Sequence, residues 1–311
     1  MTQPAMSVIL VTPDRYDTIA RTVDALRAQS VSDQLELVVV SPEGPTLDVP
    51  EVERRGFADV RLVASGHVKR LAAAHAAGVG AATAQVIAFA EDHAFPAQGW
   101  AQALIRAHRG PWTAVGPAMR NANPATLTSR ADFLLGYGRW REPIRAGETD
   151  HVPGHNSSYK RSALMAYGGD LEEFLQSPAL LHAHLAAHGH RLYLEPAAVV
   201  AHTNFSSVAR WLGVRFHAGR AFAAARGRDW PVRRRLMYIL AAPLIPLVRL
   251  ARITRESRRD GQPAGFFLSI VPLLWCGLVV DALGESTGYA ARIPGAHERE
   301  WEWEFHREPQ P

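Results

Sequence analysis

The chain has 311 residues, 47% apolar and 21% charged, with a formal net charge of +4 and a single cysteine, Cys276. That composition excludes global disorder, and the length allows a sizeable core. One thiol excludes an intramolecular disulfide framework and a Cys-based zinc site, so an intracellular or cytoplasm-facing protein is expected. The first five residues are too short and uncharged for a secretory signal peptide, and none is expected. Residues 7–11 (SVILV) then predict a strand, followed by Pro13 and by Ile19, Val23 and Leu26 at helical spacing. Residues 35–40 (LELVVV) and 60–63 predict two further strands, 68–82 a helix, 86–90 (VIAFA) a strand, 98–108 a helix and 113–116 a strand. Strands apolar throughout and separated by helices imply an α/β sheet covered on both faces. Ligands of such sheets gather beyond the strand carboxyl ends, so residues 12–15, 41–44 and 91–93 should converge on one crevice.

Residues 121–202 are richer in Gly, Pro, His and Arg, and within them 180–194 read as a helix and a short strand ending at Pro196. After Asn204 the pattern is helical, through Trp211, Val214, Arg215 and Phe222. The charge is unevenly spread. Of the 34 basic residues all but Lys69 and Lys160 are arginine, and ten arginines fall in 226–259 against Asp229 and Glu256. This +8 belt leaves an acidic remainder and brackets the apolar run 236–248; a second apolar run covers 264–280.

The stretch QVIAFAEDHAFPAQGW (85–100) carries the most chemistry. A buried strand stops at Glu91, Asp92 and His93, three polar groups able to bind a cation or a ribose, before Pro96 and Gly99 turn the chain. A loop with a helix-capping carboxylate is the plainer alternative. The order of elements, the acidic strand end and the Pro-x-x-Gly-Trp that follows resemble the inverting nucleotide-sugar glycosyltransferases of family 2. The resemblance covers about residues 6–205. It implies the GT-A fold, a Rossmann-like, doubly wound, mainly parallel α/β sheet. Its D-x-D motif falls on Glu91, Asp92 and His93, with His93 in the place of the metal-binding aspartate and Glu91 and Asp92 beside the donor. Imidazole suits Mn²⁺ better than Mg²⁺, so a divalent cation is expected, with Mn²⁺ the better match.

Further segments carry the same resemblance. SVILVTPDRYDTIARTVDALRAQS places Thr12, Pro13 and Asp14 near the donor's base and ribose, and HVKRLAAAHAAGVGAATAQVIAF lets Arg70 reach its phosphates. VPGHNSSYKRSALMAYGG, with His155 and Asn156, resembles the acceptor-side loop, and RLYLEPAAVVAHTN the closing strand whose histidine, here His202, completes the metal site. There are two departures. After the second strand Ser41, Pro42 and Glu43 replace a pair of aspartates, leaving Glu43 to grip the nucleoside. Ser177 and Pro178 stand where the acidic pair with the catalytic base belongs, so Glu173 and Glu172 are the substitute bases by proximity. As plain structure, both are carboxylates at a helix N-terminus. Of His182, His184, His188 and His190, the i, i+4 pair lacks an accompanying carboxylate, and a solvated or acceptor-facing helix is expected there rather than a metal site.

The run 236–248 is too short to cross a bilayer and contains Pro243 and Pro246, which suits a re-entrant or interfacial segment; 264–280 contains Pro272 and lies at the lower limit for crossing. A pair of buried helices is the alternative, but the flanking arginines favour an anionic membrane surface. Aromatics are not interleaved with those arginines, so no nucleic acid is expected. The sequence thus predicts a glycosyltransferase-like domain over 1–205, with its nucleotide-binding region at 1–120 and its acceptor-side region at 121–205. A membrane-associated helical region over 206–290 and an acidic aromatic tail over 291–311 are expected to follow. The expected activity is transfer of a sugar from a nucleotide-sugar donor to a glycan or lipid-linked acceptor at the cytoplasmic face of the membrane. The alternatives are a catalytically degenerate scaffold of the same fold and, more remotely, a nucleotidyltransferase, whose Gly-rich phosphate loop is absent.

Overall fold

In the computed structural model, which describes residues 3–66, 70–259, 264–291 and 305, the apolar runs at the start of the chain form a parallel sheet. Strands β1 (Met6–Val11), β2 (Leu35–Ser41), β3 (Asp59–Ala64) and β4 (Val86–Ala90) lie in the order β3-β2-β1-β4, all parallel. They are joined through helices α1 (Ala20–Arg27), α2 (Glu51–Arg54) and α3 (Leu71–Ala81). Every residue of β1, β2 and β4 is buried, which is why these strands show no polar alternation. The one charge in β2, Glu36, is fully buried. It accepts hydrogen bonds from the Ser7 hydroxyl, from Thr83 N and Oγ1 (both 2.8 Å) and from Arg61 Nε (2.6 Å). Burial alone pushes its carboxyl pKa up, but these donors outweigh it and hold the group below the usual carboxylate range.

Beyond β4 the sheet continues with antiparallel neighbours. The next elements are β5 (Ala94–Pro96), α4 (Trp100–Ala107), β6 (Ala114–Asn121), α5 (Leu127–Tyr137), β7 (Gly147–Thr149) and β8 (Ser158–Lys160). They are followed by α6 (Arg161–Met165), α7 (Leu171–Leu175), α8 (Pro178–Ala187) and β9 (Leu192–His202). The order runs on as β4-β8-β6-β9-β5, with β7 also on β9. Pro196 does not end the last strand as expected. β9 pairs with β7 over Leu192–Leu194 and with β5 over Val200–His202, so the residue lacking an N–H falls between the two antiparallel pairings. The helix expected over 68–82 is α3, with residues 67–69 outside the described ones.

The chain divides into two compact units, residues 1–120 with 142–202 and residues 121–141 with 203–311. The sequence-based boundary at 205 therefore needs correction for 121–141. Helix α5 belongs with α9 (Val208–Arg226), α10 (Val232–Ala241), α11 (Leu244–Arg259) and α12 (Ala264–Ala290). Its Ala131 and Leu134 share a core with Trp211, Val214, Ile253, Ile270, Leu274 and Leu278. Asp132 of α5 accepts hydrogen bonds from Trp211 Nε1 (2.9 Å) and Phe205 N (3.0 Å). The segments that enter this unit are also tied together. Asn204 N donates to Asn123 Oδ1 (2.8 Å), Asn123 Nδ2 to the Asn204 carbonyl (2.8 Å) and Asn204 Nδ2 to Asn121 Oδ1 (3.0 Å).

Helix α12 runs ten residues past the apolar stretch seen in sequence, because its two acidic residues are buried against arginines. Asp281 pairs with Arg249 and lies 3.6 Å from Arg215 Nε, and Glu285 lies 3.8 Å from Arg249. Within α12, residues Phe267–Ala290 are long and apolar enough to cross a membrane by length and composition. Of the acidic tail, the described residues include Ala291 and a buried Phe305; the rest lies outside them.

Candidate active site

The carboxyl end of β4 is where the side chains with chemistry come together. Because β5 follows β4 after only three residues and pairs with the end of β9, Ala94 lies opposite His202, which brings His93 and His202 side by side. Their rings meet edge to face with centroids 4.8 Å apart. Glu91 completes the group: Oε2 is 3.6 Å from His202 Nε2 and Oε1 is 4.0 Å from His93 Nε2. One ligand atom from each of Glu91, His93 and His202 lies within 4.8 Å of the others. Both imidazoles are buried, and Glu91 is nearly so.

Neighbouring residues fix this arrangement. Asp92, expected beside the donor, instead turns to His93, with Oδ1 2.7 Å from Nδ1. A carboxylate can only accept, so Nδ1 donates to it and Nε2 lies on the side of Glu91 and His202. Asn156, expected on the acceptor side, donates from Nδ2 to Glu91 Oε2 at 2.6 Å and so orients the carboxylate. Thr22 of α1 was not foreseen; its buried hydroxyl donates to the Glu91 carbonyl (2.9 Å) and holds the strand end down.

The other expected residues divide. Thr12 is fully buried and donates to the Arg15 carbonyl (2.7 Å), so it shapes the loop after β1 rather than offering its hydroxyl to a ligand. Asp14 Oδ1 accepts from Arg15 N (2.6 Å) and Thr18 Oγ1 (2.7 Å), capping the turn behind half-buried Pro13. Glu43 is exposed after β2. Arg70, at the N-cap of α3, reaches across to α7, where Nη1 pairs with Glu172 Oε1 at 2.9 Å. The structure thus joins the expected phosphate-binding arginine to one of the two expected bases; Glu173 is exposed beside them. His155 faces the buried His75 ring of α3, centroids 6.2 Å apart. Burial, reinforced by His155, drives the His75 pKa well down and keeps it neutral.

Where the family pattern would have acids, Ser177 is buried and Pro178 opens α8. A Cβ on Gly154 would meet Pro178 Cγ at 2.2 Å, so the loop at Gly154 packs directly against the Pro178 ring. The histidine-rich helix is not simply solvated. His182 is fully buried between Tyr159 Oη (2.8 Å) and His151 Nδ1 (3.0 Å), and burial lowers its pKa to about 3. Only the periodicity of α8, which puts position 182 on its inward face with Leu181 and Leu185, signals this in sequence.

The family model for glycosyl transferase family 2 matches residues 7–168, just over half of the chain and all of the site except His202, Glu172 and Glu173. The chain belongs to glycosyl transferase family 2. Its sheet is the GT-A fold. The curated relatives include the "Pre-mycofactocin glycosyltransferase" of two Mycobacterium tuberculosis strains, CDC 1551 / Oshkosh and ATCC 25618 / H37Rv. Each is 26% identical over 226 residues, which make up 70% of this chain and 46% of theirs, so this family member spans about half the length of those relatives. Among solved structures, the mannosyltransferase PcManGT from Pyrobaculum calidifontis, in complex with GDP-Man and Mn²⁺, superposes with a TM-score of 0.56 at 16% identity. That match covers 91% of this chain and 87% of PcManGT.

Proposed function

We propose that the protein transfers a sugar, with inversion, from a nucleoside-diphosphate sugar to an acceptor hydroxyl. The observation that carries this reading is the Glu91–His93–His202 group at the end of β4, in a chain of this family. Two imidazoles and a carboxylate fit a divalent transition ion, with Asp92 as the outer carboxylate that orients His93; a magnesium ion prefers oxygen ligands. The PcManGT complex, with its nucleotide sugar and Mn²⁺, supports the same donor class and ion here. When bound, the ion neutralises charge on the departing diphosphate.

In this reading Pro13, Asp14 and Glu43 border the nucleoside, while Arg70 faces the phosphates. Its present partner Glu172 is then released toward the acceptor and acts as the base, with Glu173 one residue further on. The base takes the hydroxyl proton as the acceptor oxygen bonds to the anomeric carbon; the anomeric carbon–phosphate oxygen bond breaks, and the nucleoside diphosphate leaves with that bonding pair. His155 borders the acceptor. The acceptor is a glycan or lipid-linked hydroxyl at the cytoplasmic face of a membrane, a placement supported by the arginine-flanked apolar helices α10–α12.

The test is a titration of purified protein with Mn²⁺ and a panel of UDP- and GDP-sugars, followed by slow donor hydrolysis. Binding of one donor, with hydrolysis lost in Glu172→Gln and kept in Glu173→Gln, is the expected outcome; the reverse moves the base to Glu173. Buried Ser177 and the helix-opening Pro178 favour a second reading, a donor-binding protein without turnover. Donor binding with no hydrolysis or transfer would establish it, and absence of donor binding would overturn both.

A further inference from the structure

We propose that α10 and α11 form an in-plane docking surface for an anionic lipid bilayer. The proposal rests on the membrane reading above and adds which residues meet the bilayer and what lipid charge they require. On α10 the side chains of Leu236, Met237 and Leu240 are 53%, 56% and 81% exposed; on α11 those of Leu244, Leu247 and Val248 are 60%, 53% and 68% exposed. Within each helix these positions are spaced by three and four residues, so each set forms one stripe. An ordinary surface helix turns such a stripe inward. Here it points to solvent, while Ala242, Pro246, Ile253 and Ser257 face the core. Six large apolar side chains left exposed within residues 236–248 mark an interaction surface rather than a scattered set of exposed residues.

Charge selects the occupant. Exposed Arg233 and Arg234 precede the stripe, exposed Arg252 and Arg255 follow it, and Glu256 is the sole acid in 232–257. Arg235 and Arg249 are excluded from this rim, since Arg235 Nη1 is directed to the Tyr289 carbonyl (3.5 Å) and Arg249 is paired with Asp281. Apolar side chains bounded by guanidinium groups match acyl chains beneath phosphate headgroups. A second copy of this surface would set arginine against arginine. The geometry also suits lying in the interface rather than crossing it. The two helices have 10 and 16 residues and meet at a bend of 61°, whereas a straight crossing needs roughly 20 apolar residues.

The experiment is flotation of the full-length protein with vesicles of phosphatidylcholine alone or mixed with phosphatidylglycerol, at low and high salt. We expect binding at least about tenfold stronger to the anionic vesicles, and that advantage lost at high salt. Leu240→Glu with Leu244→Glu should abolish binding. Arg233→Glu with Arg252→Glu should remove the anionic preference. Because these side chains point to solvent, the folded state should survive, as a circular-dichroism melt will check, and the wild-type lipid and salt comparison needs no variant. Equal binding to both vesicle types, unchanged by either pair of substitutions, overturns this surface while leaving a membrane role for α12. No vesicle binding at all overturns the membrane reading with it. A dimer that dissociates in the Leu240→Glu, Leu244→Glu variant would assign the stripe to a second copy instead. Donor binding, titrated separately, should be the same in every variant, so its failure would count against the glycosyltransferase reading alone.

Discussion

An imidazole at position 93, where the family pattern has an aspartate, changes which cations the strand end can hold. Calorimetric titration without donor should show Mn²⁺ bound at least about tenfold more tightly than Mg²⁺, and His93→Asp should narrow that gap by replacing nitrogen with oxygen. Asp92→Asn keeps the size but weakens the acceptor that orients His93; Mn²⁺ affinity should fall by about tenfold to a hundredfold with the fold unchanged. Unaltered affinity in both variants would remove position 93 from the metal site. The residues of this cluster were legible in sequence because an apolar strand stopping on charged groups is a local signal. Their partnerships were not. The sequence placed Asp92 with the donor and Asn156 with the acceptor, whereas the Asp92–His93 and Asn156–Glu91 hydrogen bonds depend on how the chain turns after β4 and on a loop 65 residues away.

Helix α8 is joined to β8 through His182, and that junction makes stability depend on pH. With its pKa lowered to about 3 against an ordinary value of 6.5, His182 stays neutral in the fold while the unfolded chain takes up a proton below pH 6.5. The stabilisation is therefore complete above about 6.5 and is lost as pH falls toward 3. His108, lowered to about 4 by burial and then by Lys160, adds in the same direction. Glu36 also loses stabilisation on acidification, but only below the ordinary carboxylate value of 4.5. Denaturant titrations should thus show stability falling between pH 6.5 and 5, and His182→Gln should flatten that slope by at most about 1.4 kcal/mol per pH unit. A slope that persists unchanged would leave His108 and His75 as its source. Among the elements, the buried parallel strands and α3 were readable from their apolar runs. Strands β5, β7 and β8 were not, since three residues are too few to show a period and each exists only through its partner.

Across the whole molecule, the length of the chain allows more than one body, but does not point to a unit assembled from two separated segments. A cut after residue 205 follows the sequence-based boundary and would leave α5 without Trp211, Leu274 and Leu278. Such a fragment should be less stable than the intact chain and should bind a hydrophobic dye at residues 131–135, where a boundary respecting the fold would give a quiet surface. The helical unit has its own sensitive point. A Cβ on Gly284 would meet the Phe216 carbonyl oxygen at 2.2 Å, so Gly284→Val should force α9 and α12 apart and lower stability by roughly 1–3 kcal/mol in denaturant unfolding. The excursion at 121–141 also sets an order of events at the ribosome. Helix α5 is complete at Tyr137, yet α9 does not begin until Val208 and α12 ends at Ala290, so a nascent chain carries an uncovered Ala131–Leu134 face until those helices have been made. The parallel strands β1–β4 can pair early, but the helical unit must wait for α12, and during that interval chaperones have most to protect.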